Sequence, residues 1–228
     1  MFVLPLLLFY ELGVCWMENV LGTPVRSGAD AWLRDGLAWI GLTDRWLPPA
    51  LIVVMLVSWQ ALGKQRSWRF SGLYVLGMLG ESIVYALVLI GTNRLLDLAF
   101  THWEAQGNLL RASVVATRLA PLLGFVGAGI YEEALFRLAL LPLTARFFRL
   151  LLLPGFVSRV LAVIGTAFLF ALAHHAGTPG EPFTWYAFLF RWSAGIIFAG
   201  VYLVRGFGIA AGSHVLYDVF VGCFGWQL

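Results

Sequence analysis

The sequence predicts an all-α fold, a polytopic transmembrane bundle of seven or eight helices. Of its 228 residues, 61% are hydrophobic and only 12% are charged, which is more apolar surface than one soluble core can bury. The apolar runs are far longer than the roughly 10 residues of a membrane β-strand, and short polar links separate them. These observations favour helices over a barrel and predict a single integral-membrane domain over residues 1–228.

Seven segments are long and apolar enough to cross a bilayer, which takes about 20 residues per helix. The first is predicted to be a retained helix because no basic region precedes it and two glutamates interrupt it. The fourth is too long for one straight crossing, so we expect it to tilt, to kink near Pro121 or the glycines that follow, or to begin as a surface helix. An interfacial or re-entrant eighth helix is predicted around 32–42. The seven segments are 2–22, 47–63, 70–93, 113–144, 158–176, 185–204 and 207–224.

The basic residues predict how these segments are oriented. They cluster in alternate links, so that one side of the membrane is positive if every segment crosses once, and the positive-inside rule assigns that side to the cytoplasm. The amino terminus is then cytoplasmic and the carboxyl terminus outside, in what we expect to be a prokaryotic inner membrane. Because the net charge of +3 arises in these links, the predicted partner is the lipid bilayer and no nucleic acid is expected. The links contain Lys64, Arg66 and Arg69; Arg146, Arg149 and Arg159; and Arg205.

Ionisable side chains occur inside three of the apolar segments. Inserting each of them into the hydrocarbon core costs a few kcal/mol of free energy even on the scale with the lowest values. Such residues therefore normally pair or line a watery cavity, and they mark the functional site. They are Glu132, Glu133 and Arg137 in the fourth segment, His174 in the fifth, and His214 and Asp218 in the last.

The two adjacent glutamates are predicted to have different roles. Neighbours on a helix lie about 100° apart, whereas residues four apart share a face. Glu133 can therefore pair with Arg137 while Glu132 points elsewhere. A buried carboxyl without a partner holds its proton more tightly than one in water, which suits a general base at neutral pH. We predict that Glu132 is the base, and for Glu133 and Arg137 a purely structural ion pair is an equally open interpretation.

The histidines predict hydrolytic chemistry. Cleaving a peptide bond needs an activated water and donors for the oxyanion. Glu132 with His174 can supply the first, and His214 with Asp218 on one face of the last helix can supply or orient the second.

Three motifs, which follow one another on three apolar helices, indicate a known family. The sequence resembles the CAAX-processing and bacteriocin-processing (CPBP, or Abi) intramembrane proteases over roughly 125–220, inside a motif-bearing core that we predict at about 113–224. The matching motifs are Glu132-Glu133-Ala-Leu-Phe-Arg137, Phe170-x-x-x-His174 and His214-x-x-x-Asp218, the last with Asp where the family has Asn or Asp.

The resemblance implies an intramembrane endopeptidase that acts on a membrane-associated or lipid-anchored polypeptide. It implies Glu132 as the activating carboxylate, His174 as its partner on the water, and His214 with Asp218 in the oxyanion region. Glu133 and Arg137 are implied as supporting residues. The same resemblance favours a mechanism without a cofactor.

Three alternatives stay open at the level of sequence. Glu132, His174 and His214 are also a plausible ligand set for one zinc ion with an open position for water. The same buried acids and histidines suit a proton relay in a secondary transporter, although no internal repeat is found. A non-catalytic immunity or binding protein of the same fold is the third. The sequence gives no substrate identity and no oligomeric state.

Overall fold

The computed structural model describes residues 2–22, 25–62, 71–101, 119–176 and 182–224. Most of these residues are helical and no strand occurs among them, which confirms the predicted fold class. The helices are α1 (Val3–Leu21), α2 (Gly28–Trp39), α3 (Leu47–Leu62), α4 (Gly72–Thr101), α5 (Leu119–Glu133), a π-helical segment (Ala134–Leu140), α6 (Leu141–Leu150), α7 (Gly155–Ala173), α8 (Trp185–Arg205) and α9 (Phe207–Phe224).

The helices are those of an integral membrane protein. Helix α5, the π-helical segment and α6 form one continuous rod, so the described part of the chain has eight rods, as predicted. Five rods in the described residues are long and apolar enough to cross a bilayer, while α3 and α9 provide shorter apolar helices and α2 is the predicted eighth helix. The five are Val3–Val20, Gly72–Phe100, Leu119–Leu150, Gly155–Ala173 and Trp185–Arg205. The link that contains Lys64, Arg66 and Arg69 lies outside the described residues, and the predicted orientation stays a prediction.

The rod formed by α5, the π-helical segment and α6, which contains the predicted fourth segment, is irregular at a place that the sequence did not indicate. Pro121 and the glycines after it lie within regular helix α5, and the π-helical hydrogen bonding begins at Ala134, directly after Glu133. A π turn widens the helix by one residue per turn and often occurs at functional sites. Proline and glycine mark helix bends, but no residue type marks a π turn, so this feature was missed.

Two short links between neighbouring helices determine which site residues lie at the same depth in the bundle. Four residues separate α6 from α7. Glu132 precedes this link and His174 follows it, at nearly equal distances along the chain. Gly206 alone separates α8 from α9, and its φ of 89° lies in the left-handed region that glycine adopts without strain. Because each pair of helices is antiparallel, residues at equal distances from a link come level with each other.

Helix α9 is the centre of the bundle and packs against α4, α5 and α8. It approaches α5 closely at Gly129, where an added Cβ would lie 2.4 Å from Val215 Cγ2 and 2.8 Å from the Val215 backbone nitrogen. Small residues allow this kind of close contact between membrane helices. Gly129 lies one turn before Glu133, so this contact holds α9 against the part of α5 that carries the glutamates.

A buried polar network joins the first two helices to α5. The Tyr131 hydroxyl donates to Glu11 of α1, and Tyr10 donates to Asp30 of α2 at 2.9 Å. Arg34 Nε donates to Asp30 at 2.8 Å, and Asp30 is fully buried. Because Tyr131 precedes Glu132 in the chain, α1 and α2 fix the glutamate-bearing turn from the side opposite α9.

We predict that Gly129→Ala destabilises the protein by about 1–3 kcal/mol, because the added methyl group meets the backbone of α9 and one helix must move. The matched control is Gly124→Ala, where nothing lies within 4 Å of an added Cβ and alanine favours the helix. Thermal unfolding in detergent, followed by circular dichroism, measures both. Equal melting temperatures for the two variants would contradict the close contact.

Candidate active site

The structure brings together three of the predicted residues from three separate rods. Glu132 Oε2 lies 3.5 Å from His174 Nε2 and 3.9 Å from His214 Nε2. The Glu132 oxygen is buried and makes no hydrogen bond to the residues that the structure describes. The side chains of Glu132 and His174 are 14% and 17% exposed, so the three groups meet at a partly accessible point inside an apolar bundle.

Glu133 lies at the centre of a second, fully buried set of contacts. Arg137 Nε lies 3.1 Å from Glu133 Oε2, as the spacing of four residues predicts, and His214 Nδ1 lies 2.9 Å from Glu133 Oε1. Arg137 also donates to the Gly195 carbonyl of α8 at 3.2 Å. A charge removed from water needs a partner and further hydrogen bonds. This arrangement supplies both from three rods, while Arg137 Nη1 makes no hydrogen bond to the described residues.

The hydrogen bonds of the two histidine rings determine which nitrogen faces Glu132. His174 Nδ1 lies 2.8 Å from the Phe170 carbonyl oxygen, and because a carbonyl can only accept, Nδ1 carries the proton. In its neutral form His174 therefore presents the Nε2 lone pair to Glu132. His214 uses Nδ1 toward Glu133, which leaves its Nε2 facing both Glu132 and, at 3.6 Å, Asp218 Oδ2.

Aromatic rings enclose these groups. Phe198 stacks on the His214 ring with centroids 4.5 Å apart, and Phe170 contacts the His174 ring at 4.7 Å. The Arg137 guanidinium lies over the Phe170 ring, 4.6 Å from its centroid, a distance at which a cation is attracted to the face of an aromatic ring. The apolar walls lower the local dielectric constant and so strengthen each electrostatic contact in the site.

The zinc alternative, with Glu132, His174 and His214 as ligands, stays a prediction. In the described ranges, no group of three or more His, Cys, Asp or Glu side chains is arranged to hold a metal ion.

Comparison with known protein families gives a match on the part of the chain that carries this site. Residues 115–220 match the family model Rce1-like, which is described as type II CAAX prenyl endopeptidase Rce1-like. This segment is Rce1-like. The match confirms the resemblance to the CAAX-processing family, and the matched range contains all three motifs. Comparison with curated proteins and with solved structures gave no match.

The family supports, in general terms, an intramembrane protease of the CAAX type that acts on a polypeptide substrate. The residues before 115 lie outside the Rce1-like match. In the structure they nevertheless contribute α1 and α2, whose polar network ends at Tyr131 beside the glutamates.

The Rce1-like segment holds one charged residue near the site that the sequence did not single out. Arg191 of α8 is half-buried and lies close enough for its charge to act on Glu132 and Asp218. It lies on the α8 face that also carries Phe198, seven residues later. The helical spacing from Arg191 to Phe198 was the available signal, but the role of Phe198 became evident only from its contact with His214.

The Glu133–Arg137 pair gives a prediction about stability. We predict that Arg137→Met costs about 3–5 kcal/mol because it leaves the Glu133 carboxylate buried beside His214 without its cation. The double variant Glu133→Gln/Arg137→Met removes both charges and should be clearly less destabilised than the sum of the single variants. Thermal unfolding of the wild type, the two single variants and the double variant in the same detergent gives the coupling free energy between the two side chains. Additive effects would show that the two side chains are not coupled.

Proposed function

We propose that this protein is an intramembrane endopeptidase that hydrolyses a peptide bond in a membrane-associated or lipid-anchored polypeptide. One observation carries the proposal: Glu132 Oε2 lies within 3.9 Å of imidazole nitrogens from two other rods. The Rce1-like match of the same segment supports this reaction class.

In the proposed reaction, Glu132 and His174 activate the attacking water. Their facing atoms, Glu132 Oε2 and His174 Nε2, are 3.5 Å apart and both accept hydrogen bonds when His174 is neutral and Glu132 is ionised. A water can donate one O–H to each and direct an oxygen lone pair at the substrate carbonyl carbon. Glu132 takes the proton as the carbon–oxygen bond forms.

His214 is the proposed donor to the oxyanion. As an imidazolium it donates from Nδ1 to Glu133 and from Nε2 toward the carbonyl oxygen of the substrate. The contact with Asp218 at 3.6 Å then orients the ring, and Asp218 can itself donate only if it is protonated. Phe198, stacked on the ring, keeps the imidazolium in place.

Collapse of the tetrahedral intermediate completes the hydrolysis. The proton held by Glu132 passes to the leaving nitrogen as the carbon–nitrogen bond breaks, so the products are a new carboxyl end and a new amino end, with one water consumed. Glu133 and Arg137 are supporting residues in this scheme, since they hold His214 and do not touch the reacting atoms. The orientation with a cytoplasmic amino terminus, in a prokaryotic inner membrane, is part of the same proposal.

We predict that Glu132→Gln and His174→Ala each lower kcat/KM by about 100-fold or more, because each removes a group that activates the water. The assay uses the purified protein in liposomes and a fluorescent peptide that contains S-farnesyl cysteine followed by three apolar residues, with the products identified by mass spectrometry. The folded state of each variant is verified by its melting temperature.

Two substitutions of the same residue types serve as matched controls. Glu81 is paired with Arg205, away from the site, and His175 is the sequence neighbour of His174 and contacts Phe183 and Phe188. Glu81→Gln and His175→Ala should retain wild-type cleavage. Wild-type rates for folded Glu132→Gln protein would contradict the proposed base. Carboxyl-terminal mass spectrometry of membranes from cells that lack the gene would identify the natural substrate as an uncut polypeptide.

The proposal of a mechanism without zinc makes its own prediction. Treatment of the purified protein with 1,10-phenanthroline should leave kcat/KM unchanged, and metal analysis should give far less than one zinc per chain. Loss of activity that zinc restores, together with one zinc per chain that Glu132→Gln abolishes, would instead support Glu132, His174 and His214 as metal ligands.

A further inference from the structure

We propose that the corner between α6 and α7 binds the phosphate of an anionic phospholipid. This corner consists of the end of α6, the link 151–154 and the beginning of α7. It lies at the opposite end of α7 from His174, so the inference does not depend on the proposed hydrolysis. The corner carries Arg146, Arg149 and Arg159.

The three arginines of the corner have no counter-charge close to them. No acidic residue occurs in the sequence between Glu133 and Glu181, and none of the three forms an ion pair with a residue that the structure describes. All three side chains are exposed. Arg205 at the end of α8, by contrast, is paired with Glu81. The corner is therefore a positive surface whose charge is not balanced within the described part of the chain.

The antiparallel packing of α6 and α7 brings the three arginines together. Arg149 approaches α7 at Gly155, where an added Cβ would lie 2.5 Å from Arg149 Nη2. Arg146 lies one turn before Arg149 on α6, and it therefore belongs to the same helix face. Arg159 lies one turn after Gly155 on α7, for the same reason on the face of this contact. Arg146 and Arg159 are thus nearly level with each other, one turn away from Arg149.

The position of Arg149 favours an anion beside it. Its guanidinium lies at the amino-terminal end of α7, which carries a partial positive charge and has no side-chain cap. Two positive groups side by side repel each other unless an anion accompanies them. A phosphate at this point accepts charge-assisted hydrogen bonds from the guanidinium and is favoured by the helix end.

Exposed apolar side chains lie beside the arginines and favour a lipid over a soluble phosphate. Leu152 is 91% exposed, and its φ of 61° lies in the left-handed region, where glycine is the usual residue after a helix. In water, a glycine would be better at this position on both counts. In hydrocarbon the leucine side chain is favourable, while neighbouring arginines extend to the headgroups. The other exposed apolar residues of the corner are Phe147, Leu150, Leu151 and Phe156.

The charge and the apolar surface together select an anionic phospholipid. Basic clusters at a membrane surface attract anionic headgroups, whereas a zwitterionic headgroup brings its own ammonium close to the guanidinium groups. The acyl chains can lie along the exposed apolar side chains. Since α6 continues the rod that carries Glu132 and α7 leads to His174, a lipid that contacts both helices should also stabilise the protein.

Native mass spectrometry of the purified full chain in detergent tests the lipid preference. The probes are dioleoyl-phosphatidylglycerol and dioleoyl-phosphatidylcholine at equal concentrations, which have the same acyl chains and differ in headgroup charge. We expect the wild type to bind at least about tenfold more phosphatidylglycerol than phosphatidylcholine. Phosphatidylglycerol should also raise the melting temperature more than phosphatidylcholine does.

The variants test whether the corner is responsible for this preference. Arg146→Gln/Arg149→Gln/Arg159→Gln should lower the ratio of the two bound lipids at least about fivefold, because the charge of the corner is lost. The corresponding triple lysine variant should keep most of the ratio, since lysine retains the charge. Arg149→Gln alone should lower the ratio about twofold or more, and it supplies the test if the triple glutamine variant does not fold.

The matched control is Arg205→Gln, which removes an exposed arginine whose charge is balanced by Glu81. It should keep the wild-type ratio. Melting temperatures in phosphatidylcholine alone verify that each variant is folded.

Three outcomes would overturn the inference. The first is a wild type that binds the two lipids equally, and the second is a folded triple glutamine variant with the wild-type ratio. The third is displacement of phosphatidylglycerol by an equal concentration of glycerol 3-phosphate, because the phosphate would then bind without acyl chains. None of these measurements involves peptide cleavage, so this inference and the proposed function can fail independently.

Discussion

The buried contacts of Glu133 are the constraint on which the rest of the site depends. A carboxylate and a guanidinium with exposures of 0% and 2% are stable inside an apolar bundle only while they are paired and have hydrogen-bond partners. Those partners come from other rods, namely the Gly195 carbonyl on α8 and His214 on α9. Any displacement of α8 or α9 relative to α5 would leave a charge exposed to hydrocarbon, so this cluster fixes three rods at one height.

This constraint also separates the roles of two adjacent and chemically identical residues. Because Glu133 is held by Arg137 and His214, Glu132 must point in another direction, toward the histidine at the end of α7. The π-helical segment begins at Ala134, directly after these two glutamates. One glutamate thus fixes the helices, and the other meets two imidazole nitrogens at a point with some access from outside. The division follows from helix geometry and burial, and it links structural stability to the proposed chemistry.

The amino-terminal helices give the site a second support. Tyr131 donates a hydrogen bond to Glu11, and the centroid of the Tyr10 ring lies 5.6 Å from that of Tyr131. Helix α1 therefore contacts the turn that carries the glutamates. Gly127 allows this approach, since an added Cβ there would lie 2.3 Å from the Tyr10 ring. The Rce1-like match begins only at residue 115. A helix outside the matched segment therefore takes part in positioning its central residues.

The sequence by itself determined the helical membrane fold, the positions of the main helices, and the motif residues Glu132, His174 and His214. It also determined the pairing of Glu133 with Arg137, because residues four apart on one helix must lie close together. Only the tertiary structure decided that His214 binds Glu133, that Phe198 stacks on His214, that Arg191 lies near the site, and that α1 holds Tyr131. These contacts join different helices, and their geometry depends on crossing angles, link lengths and a π turn that no local pattern encodes. Periodicity specifies which residues share a face, whereas packing specifies which faces meet.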